Sequence, residues 1–227
     1  MTAAIQSLAP PLGMGKKKSD IVFHHLRRAI LLGRLPEAAP LLEQQIAVQL
    51  SCSQRTVREA LMYLERQGLV ERHGYRGTRV TSPRPEEVQI MVHFRIVLET
   101  DGIGRSVAGF RDDVLAELYA ITERMDEAIS ANDYYRTSEL DREFHLRIFQ
   151  QAGFTSLEPT LTRCALYIHR FTFKHAENRP LDPNFGKIHR RILKSIESGD
   201  AAIARDVIEK HIRAVIENFA PDLKGFG

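Results

Sequence analysis

The sequence predicts a mainly α-helical chain in two parts: three short helices closed by a two-stranded hairpin, then an all-α helical bundle. Three observations carry this. Apolar side chains recur at helical spacing through most of the 227 residues. Strand-like runs are confined to Leu69–His73 and Thr78–Thr81, on either side of Gly74-Tyr75-Arg76-Gly77. Ser82-Pro83-Arg84-Pro85 then interrupts the chain, because prolines this close together prevent a continuous helix.

Charge divides the same way. Residues 1–85 carry 13 Lys and Arg against 6 Asp and Glu, while residues 86–227 carry 19 against 23. A basic front half fits a polyanionic partner. No apolar run approaches the roughly 18 residues that a membrane helix needs, and no secretory signal is expected. Cys52 and Cys164, the only cysteines, do not form a Cys-x-x-Cys pair, so a disulfide framework is not expected and a reduced, cytoplasmic setting is. The expected organisation is a flexible tail over 1–18, a first domain over 19–81, a linker over 82–85 and a second, helical domain over 86–220.

In the first domain, a helix from Asp20 ends near Gly33 and Pro36, and a second spans about 42–50. A third runs from Gln54 to about Gln67, with Ser53 as its N-cap and Gly68 as its stop. Three helices followed by a two-stranded wing make a winged helix-turn-helix. At roughly 100° per residue, Val57, Ala60, Leu61 and Leu64 share the inward arc of the third helix. Arg55, Arg58, Glu59, Met62 and Arg66 share the outward one. The N-terminal half of such a helix enters the major groove, where Arg55 can donate a bidentate pair to guanine and Gln54 can pair with adenine. Ser53, Thr56 and Arg58 are further contacts to base or phosphate, and Tyr75, Arg76, Thr78 and Arg79 are those of the wing.

These residues carry a resemblance. Ser53-Gln-Arg-Thr-Val-Arg-Glu-Ala-Leu61, Gly68-Leu69-Val70 and Gly74-x-x-Gly77-x-x-Val80, preceded by Ile30-x-x-Gly33-x-Leu35, resemble the DNA-binding domain of the GntR family over about residues 20–81. The chain departs from that family at three points. Glu37-Ala38 stands where Pro-Gly is usual, Ser51 where Gly is usual, and Gln54 where Arg is usual.

The second domain predicts six helices, at about 86–108, 112–131, 133–152, 155–174, 184–198 and 200–219, with Asp112 and Asp133 as caps and Gly153 and Gly199 as stops. Asp141 and His145 fall within the apolar arc of Phe144, Ile148, Phe149 and Ala152. His189 falls within the arc of Ile188, Ile192, Leu193 and Ile196, and His211 within that of Ile203, Val207, Ile208 and Val215. A buried carboxylate needs a partner. One Asp oxygen with three imidazole nitrogens suits a divalent transition metal, zinc by default, with nickel, manganese or iron as alternatives. The other reading is that these are core histidines and that Asp141 pairs with one of them or with an Arg. Asp141-x-x-Phe144-His145, His189-x-x-Ile192-x-x-x-Ile196-x-x-Gly199-Asp200 and His211 resemble the FadR-type (FCD) effector domain of the same family, in its six-helix VanR-like branch. That resemblance implies a metal on Asp141, His145, His189 and His211.

Arg95-Ile96-Val97-Leu98-Glu99 also follows the family pattern. An inward Arg95 is a counter-ion for a carboxylate, and with the metal it suggests a small carboxylic or hydroxy acid effector. Arg95 and Glu99, four residues apart, are equally read as a structural pair. Tyr167 is a further candidate for the effector pocket. The function expected is that of a homodimeric repressor on operator DNA, modulated by the acid. Two alternatives stand beside it: a metal-dependent, hydrolase-like enzyme, for which no separate general base such as His-Glu-x-x-His is present, and a ligand-free architectural DNA-binding protein.

Overall fold

The computed structural model describes residues 17–74, 77–175 and 182–219. It divides into two compact units that meet between Arg84 and Pro85. The tail expected over 1–18 lies outside the described residues up to position 16, and helix already begins at Lys18.

The first unit contains α1 (Lys18–Leu31), β1 (Pro40–Leu41), α2 (Glu43–Gln49), α3 (Gln54–Arg66), β2 (Val70–Arg72) and β3 (Thr78–Val80). Helix α3 packs on α1 and α2 through Val57, Ala60, Leu61 and Leu64, all fully buried. Ser53 caps it, its Oγ accepting the Thr56 N–H at 3.1 Å. The sheet has a third strand that the sequence reading did not foresee: β1 adds to β3 in the antiparallel order β1-β3-β2, with Leu41 opposite Thr78. Two residues beginning with proline show no alternation, so their strand character comes from pairing alone.

Two departures from the family pattern have a backbone consequence. Ala38 and Ser51 hold φ of 58° and 49°, the left-handed region that favours glycine. The chain therefore keeps the turns while using residues that strain them.

The second unit contains α4 (Pro85–Ser106), α5 (Asp112–Ser130), α6 (Tyr134–Gln150), α7 (Glu158–His175), α8 (Phe185–Glu197) and α9 (Ala201–Phe219), with 3-10 turns at Val107–Gly109 and Thr155–Leu157. Helix α4 packs against α6, α7 and α9, while α5 packs against α6 and α8. Phe144, Leu118, Met125, Ile103, Ile192 and Ile208 belong to the shared core. Close approach to α4 needs small residues: a Cβ on Gly102 would sit 2.7 Å from the Phe149 ring.

Two local expectations are corrected. Asp112 is the first helical residue of α5, with Arg111 in the cap position, so it favours the helix through its charge and not as a cap. Ile203, placed on an apolar arc, is 48% exposed, and among the described residues the apolar side chains that α9 buries are Ala204, Ile208 and Ile212. Asp133 does cap α6, accepting the Arg136 N–H at 3.0 Å. Among the described residues no helix is long and apolar enough to cross a membrane.

Candidate functional site

Five helices of the second unit send polar side chains to one buried point. They are Arg95 and Glu99 from α4, Asp141 and His145 from α6, His169 from α7, His189 from α8 and His211 from α9. Asp141, His145, His189 and His211 each offer one ligand atom, and these atoms all lie within 4.8 Å of one another.

Proton placement shows what the cluster suits. His189 Nδ1 lies 2.8 Å from the Phe185 carbonyl oxygen, which can only accept. The ring hydrogen of a neutral His189 therefore sits on Nδ1, and Nε2 turns a lone pair toward Asp141 Oδ1 at 2.9 Å. His145 repeats the arrangement. Its Nδ1 donates to Glu99 Oε2 at 2.5 Å, which leaves Nε2 at 3.1 Å from His211 Nε2 and 3.6 Å from Asp141 Oδ1. Lone pairs converging at these separations repel unless protons or a cation lie between them. One carboxylate oxygen and three imidazole nitrogens fit a divalent transition ion, whose bonds of about 2.0–2.2 Å put adjacent donor atoms this close.

The electrostatics agree. Burial opposes a charge on His145, but Glu99 and Asp141 outweigh it and raise its hold on a proton, so positive charge is favoured at this point. Burial, then the neighbouring His189 and His145, push His211 well below the usual imidazole value and keep its lone pair free. Burial also opposes ionisation of Asp141, yet His145 and the hydrogen-bonding His169 hold its carboxyl well below the ordinary range.

One expectation about the effector contacts changes. Glu99 was a candidate ligand contact, but both its oxygens are engaged, Oε1 with Arg95 Nε at 2.6 Å and Oε2 with His145. It is buried at 2% exposure and orients His145 instead, as partners of metal-bound histidines do. Tyr167 is buried on α7 with the Arg163 guanidinium 5.6 Å from its ring centroid, and the α7 side chain that joins the cluster is His169. Sequence reasoning missed His169, although it follows Leu161 and Ala165 at eight and four residues on the buried arc of that helix. Its Nε2 lies 2.9 Å from Asp141 Oδ2, and Arg95 Nη2 lies 3.7 Å from the same oxygen.

In the first unit, Ser53, Gln54 and Arg55 are exposed at the start of α3, with the Arg55 side chain 88% accessible beside Glu59. Thr56 is half-buried, its Oγ1 2.9 Å from Ser53 Oγ. Arg58 is also exposed, but Glu43 of α2 holds it through Nε at 3.2 Å and Nη2 at 2.8 Å. Thr78 is turned inward at 7% exposure, because in β3 its neighbour Arg79 takes the outward face. It is therefore a sheet residue and not a surface contact. Tyr75 and Arg76 lie outside the described residues.

A family model described as bacterial regulatory proteins, gntR family, matches residues 18–80, and an FCD domain model matches residues 90–214. The chain belongs to the GntR family. It is similar to a "Probable D-xylose utilization operon transcriptional repressor" of Paenarthrobacter nicotinovorans, at 30% identity over 82% of each chain. It is also similar to the HTH-type transcriptional repressor RspR of Escherichia coli K12, at 20% identity over 87% of this chain and 86% of that one. Among solved structures, E. coli McbR/YncC shares the fold with a TM-score of 0.77 at 18% identity, covering 91% of this chain and 99% of that one. A GntR regulator of Rhodococcus sp. RHA1 shares it at 0.71 and 21% identity, with the same coverage. This GntR-family chain is thus a DNA-binding transcription regulator with an effector-binding domain.

Proposed function

We propose that the protein is a cytoplasmic homodimeric repressor. It holds a divalent transition metal, zinc by default, on Asp141, His145, His189 and His211, and leaves its operator when a small carboxylate binds beside the ion and Arg95. The carrying observation is the convergence of lone pairs from four buried side chains next to a guanidinium with an open nitrogen: Arg95 Nη2 has no hydrogen-bond partner among the described residues. The metal supplies a Lewis-acidic site for an acid oxygen. Arg95 supplies the opposite charge, Glu99 fixes the tautomer of His145, and burial excludes water. Tyr167 is proposed to border the acid. Both relatives described as repressors support the sign of regulation.

At the DNA, Gln54 and Arg55 are proposed to read base edges, with Ser53, Thr56, Arg58 and the wing residues Tyr75 and Arg76 on the backbone. The twofold axis is supported by an exposed stripe on α4: Ile90, Phe94 and Val97 are 55%, 48% and 44% exposed. A second copy running antiparallel would bring its Arg105, beyond the stripe, toward Glu86 ahead of it. Enzymatic turnover is disfavoured, because Asp141 and Glu99, the acid groups at the cluster, are both engaged and neither is free as a general base.

The test is elemental analysis of the purified protein, followed by gel-shift titration on its operator with and without small carboxylic acids. The expected result is one transition metal per chain, lost with chelator, and acid-dependent release of DNA. A metal-free protein whose DNA binding ignores every acid would overturn the proposal.

A further inference from the structure

Resting on the reading above that places Arg58 on the DNA backbone, we propose that Glu43 is a positioning residue for operator binding: it clamps the Arg58 guanidinium so that its free edge meets a phosphate at one register only. The inference starts from a carboxylate that works against the local charge. Residues 1–85 carry 13 Lys and Arg against 6 Asp and Glu. Glu43, the first residue of α2, nonetheless reaches the outward face of α3. Arg58 donates to its Oε2 from Nε at 3.2 Å and from Nη2 at 2.8 Å, and to its Oε1 from Nε at 3.3 Å. A guanidinium is planar and offers two bidentate edges. Glu43 occupies the edge of Nε and Nη2, so the edge of Nη1 and Nη2 points away from it. The Arg58 side chain stays 55% exposed.

The helices that carry the pair are fixed by core. Ile46, three residues past Glu43, and Val57 and Leu61, on either side of Arg58, are all 0% exposed. An exposed ion pair adds little to stability, so the pair matters for what it does to Arg58. Binding must immobilise a long side chain, and a guanidinium already held in one plane loses less freedom. Arg55, by contrast, is 88% accessible and touches Glu59 at 3.4 Å. Two effects of Glu43 on DNA thus oppose each other. Its charge repels the phosphates of any duplex, whatever the sequence. Its grip on Arg58 favours only the register in which a phosphate stands opposite the free edge. An acidic residue in the first turn of a helix also suits the helix dipole, but that role does not depend on Arg58.

The experiment titrates the full-length wild type, Glu43→Gln, Arg58→Ala and the double variant by fluorescence anisotropy. The probes are a duplex enriched by binding-site selection with the wild type and an unrelated duplex of equal length. Circular dichroism melting is recorded for each protein. Glu43→Gln is expected to weaken binding to the enriched duplex by about ten-fold. It is expected to bind the unrelated duplex at least as tightly as the wild type does, because a repelling charge is gone. In the Arg58→Ala background the same substitution is expected to cause no loss on either duplex. Glu43→Gln binding the enriched duplex as tightly as the wild type, or more tightly, overturns this inference alone. Equal losses on the two duplexes also overturn it, as does a loss that persists in the Arg58→Ala background, which would assign Glu43 to the fold of α2. If Arg58→Ala leaves both affinities unchanged, the placement of Arg58 on the backbone fails and this inference with it.

Discussion

Glu99 illustrates how a carboxylate is kept from the role its position suggests. It has no oxygen left for a ligand, and burial alone would oppose its ionisation, yet His145 and Arg95 hold its carboxyl below the usual value. Its effect is exerted through His145, whose Nδ1–H it accepts so that Nε2 faces the cluster. Glu99→Gln keeps the volume but weakens that acceptor. Metal affinity measured by chelator competition is expected to fall by about 10–100-fold with the helical spectrum retained. Unchanged affinity would show that His145 is oriented by packing. On the DNA side, Arg55 and Arg58 differ in their ties: among the described residues Arg55 is held by a 3.4 Å contact to Glu59, whereas Arg58 is gripped bidentately by Glu43. Arg55→Ala is therefore expected to relax preference at one base position per half-site, by about 1–3 kcal/mol in a binding-site selection. Loss of affinity spread evenly over all sequences would instead place Arg55 on phosphate.

The turns flanking α2 show local strain that the helices tolerate. Ala38 and Ser51 sit at φ of 58° and 49°, and a left-handed conformation costs a non-glycine residue about 1–2 kcal/mol. Glycine removes that strain while giving back part of the gain as unfolded-state entropy. Ser51→Gly or Ala38→Gly is expected to raise stability by about 0.5–1 kcal/mol in denaturant titration; destabilisation by either would mean that the lost side chain makes a contact worth more than the strain. Helix starts follow simpler rules. Ser53 and Asp133 each accept a backbone N–H from three residues on, and such a cap is worth about 1 kcal/mol.

The proposed twofold assembly needs surface that a single chain leaves bare. Ile90, Phe94 and Val97 recur at i, i+4 and i+7 along α4, the spacing of one helix face, and are about half exposed although α4 is packed on its other sides. Placing a charge in the middle, Phe94→Glu, is expected to yield monomers in sedimentation velocity and to weaken operator binding with metal content unchanged. A dimer that persists would locate the twofold interface elsewhere. The proposed metal has a separate reach: an ion that binds only the folded state stabilises it by mass action, about 2.7 kcal/mol at a free concentration 100-fold above Kd. Chelation is accordingly expected to lower the melting temperature of the unit beginning at Pro85.

Periodicity and capping chemistry were enough to locate the helices and to put Asp141 with His145, His189 and His211 on inward arcs, because which side chains share a helix face follows from local geometry. How far a neighbouring element reaches does not. Ile203 fits its arc and yet faces solvent, and β1 exists because Pro40–Leu41 finds β3. His169 stood on its arc unremarked until α7 was packed beside α6 and its ring met Asp141. The division of Glu99 between Arg95 and His145 likewise arises from long-range packing that brings α4 and α6 together. A pattern within one helix carries no information about distances between helices.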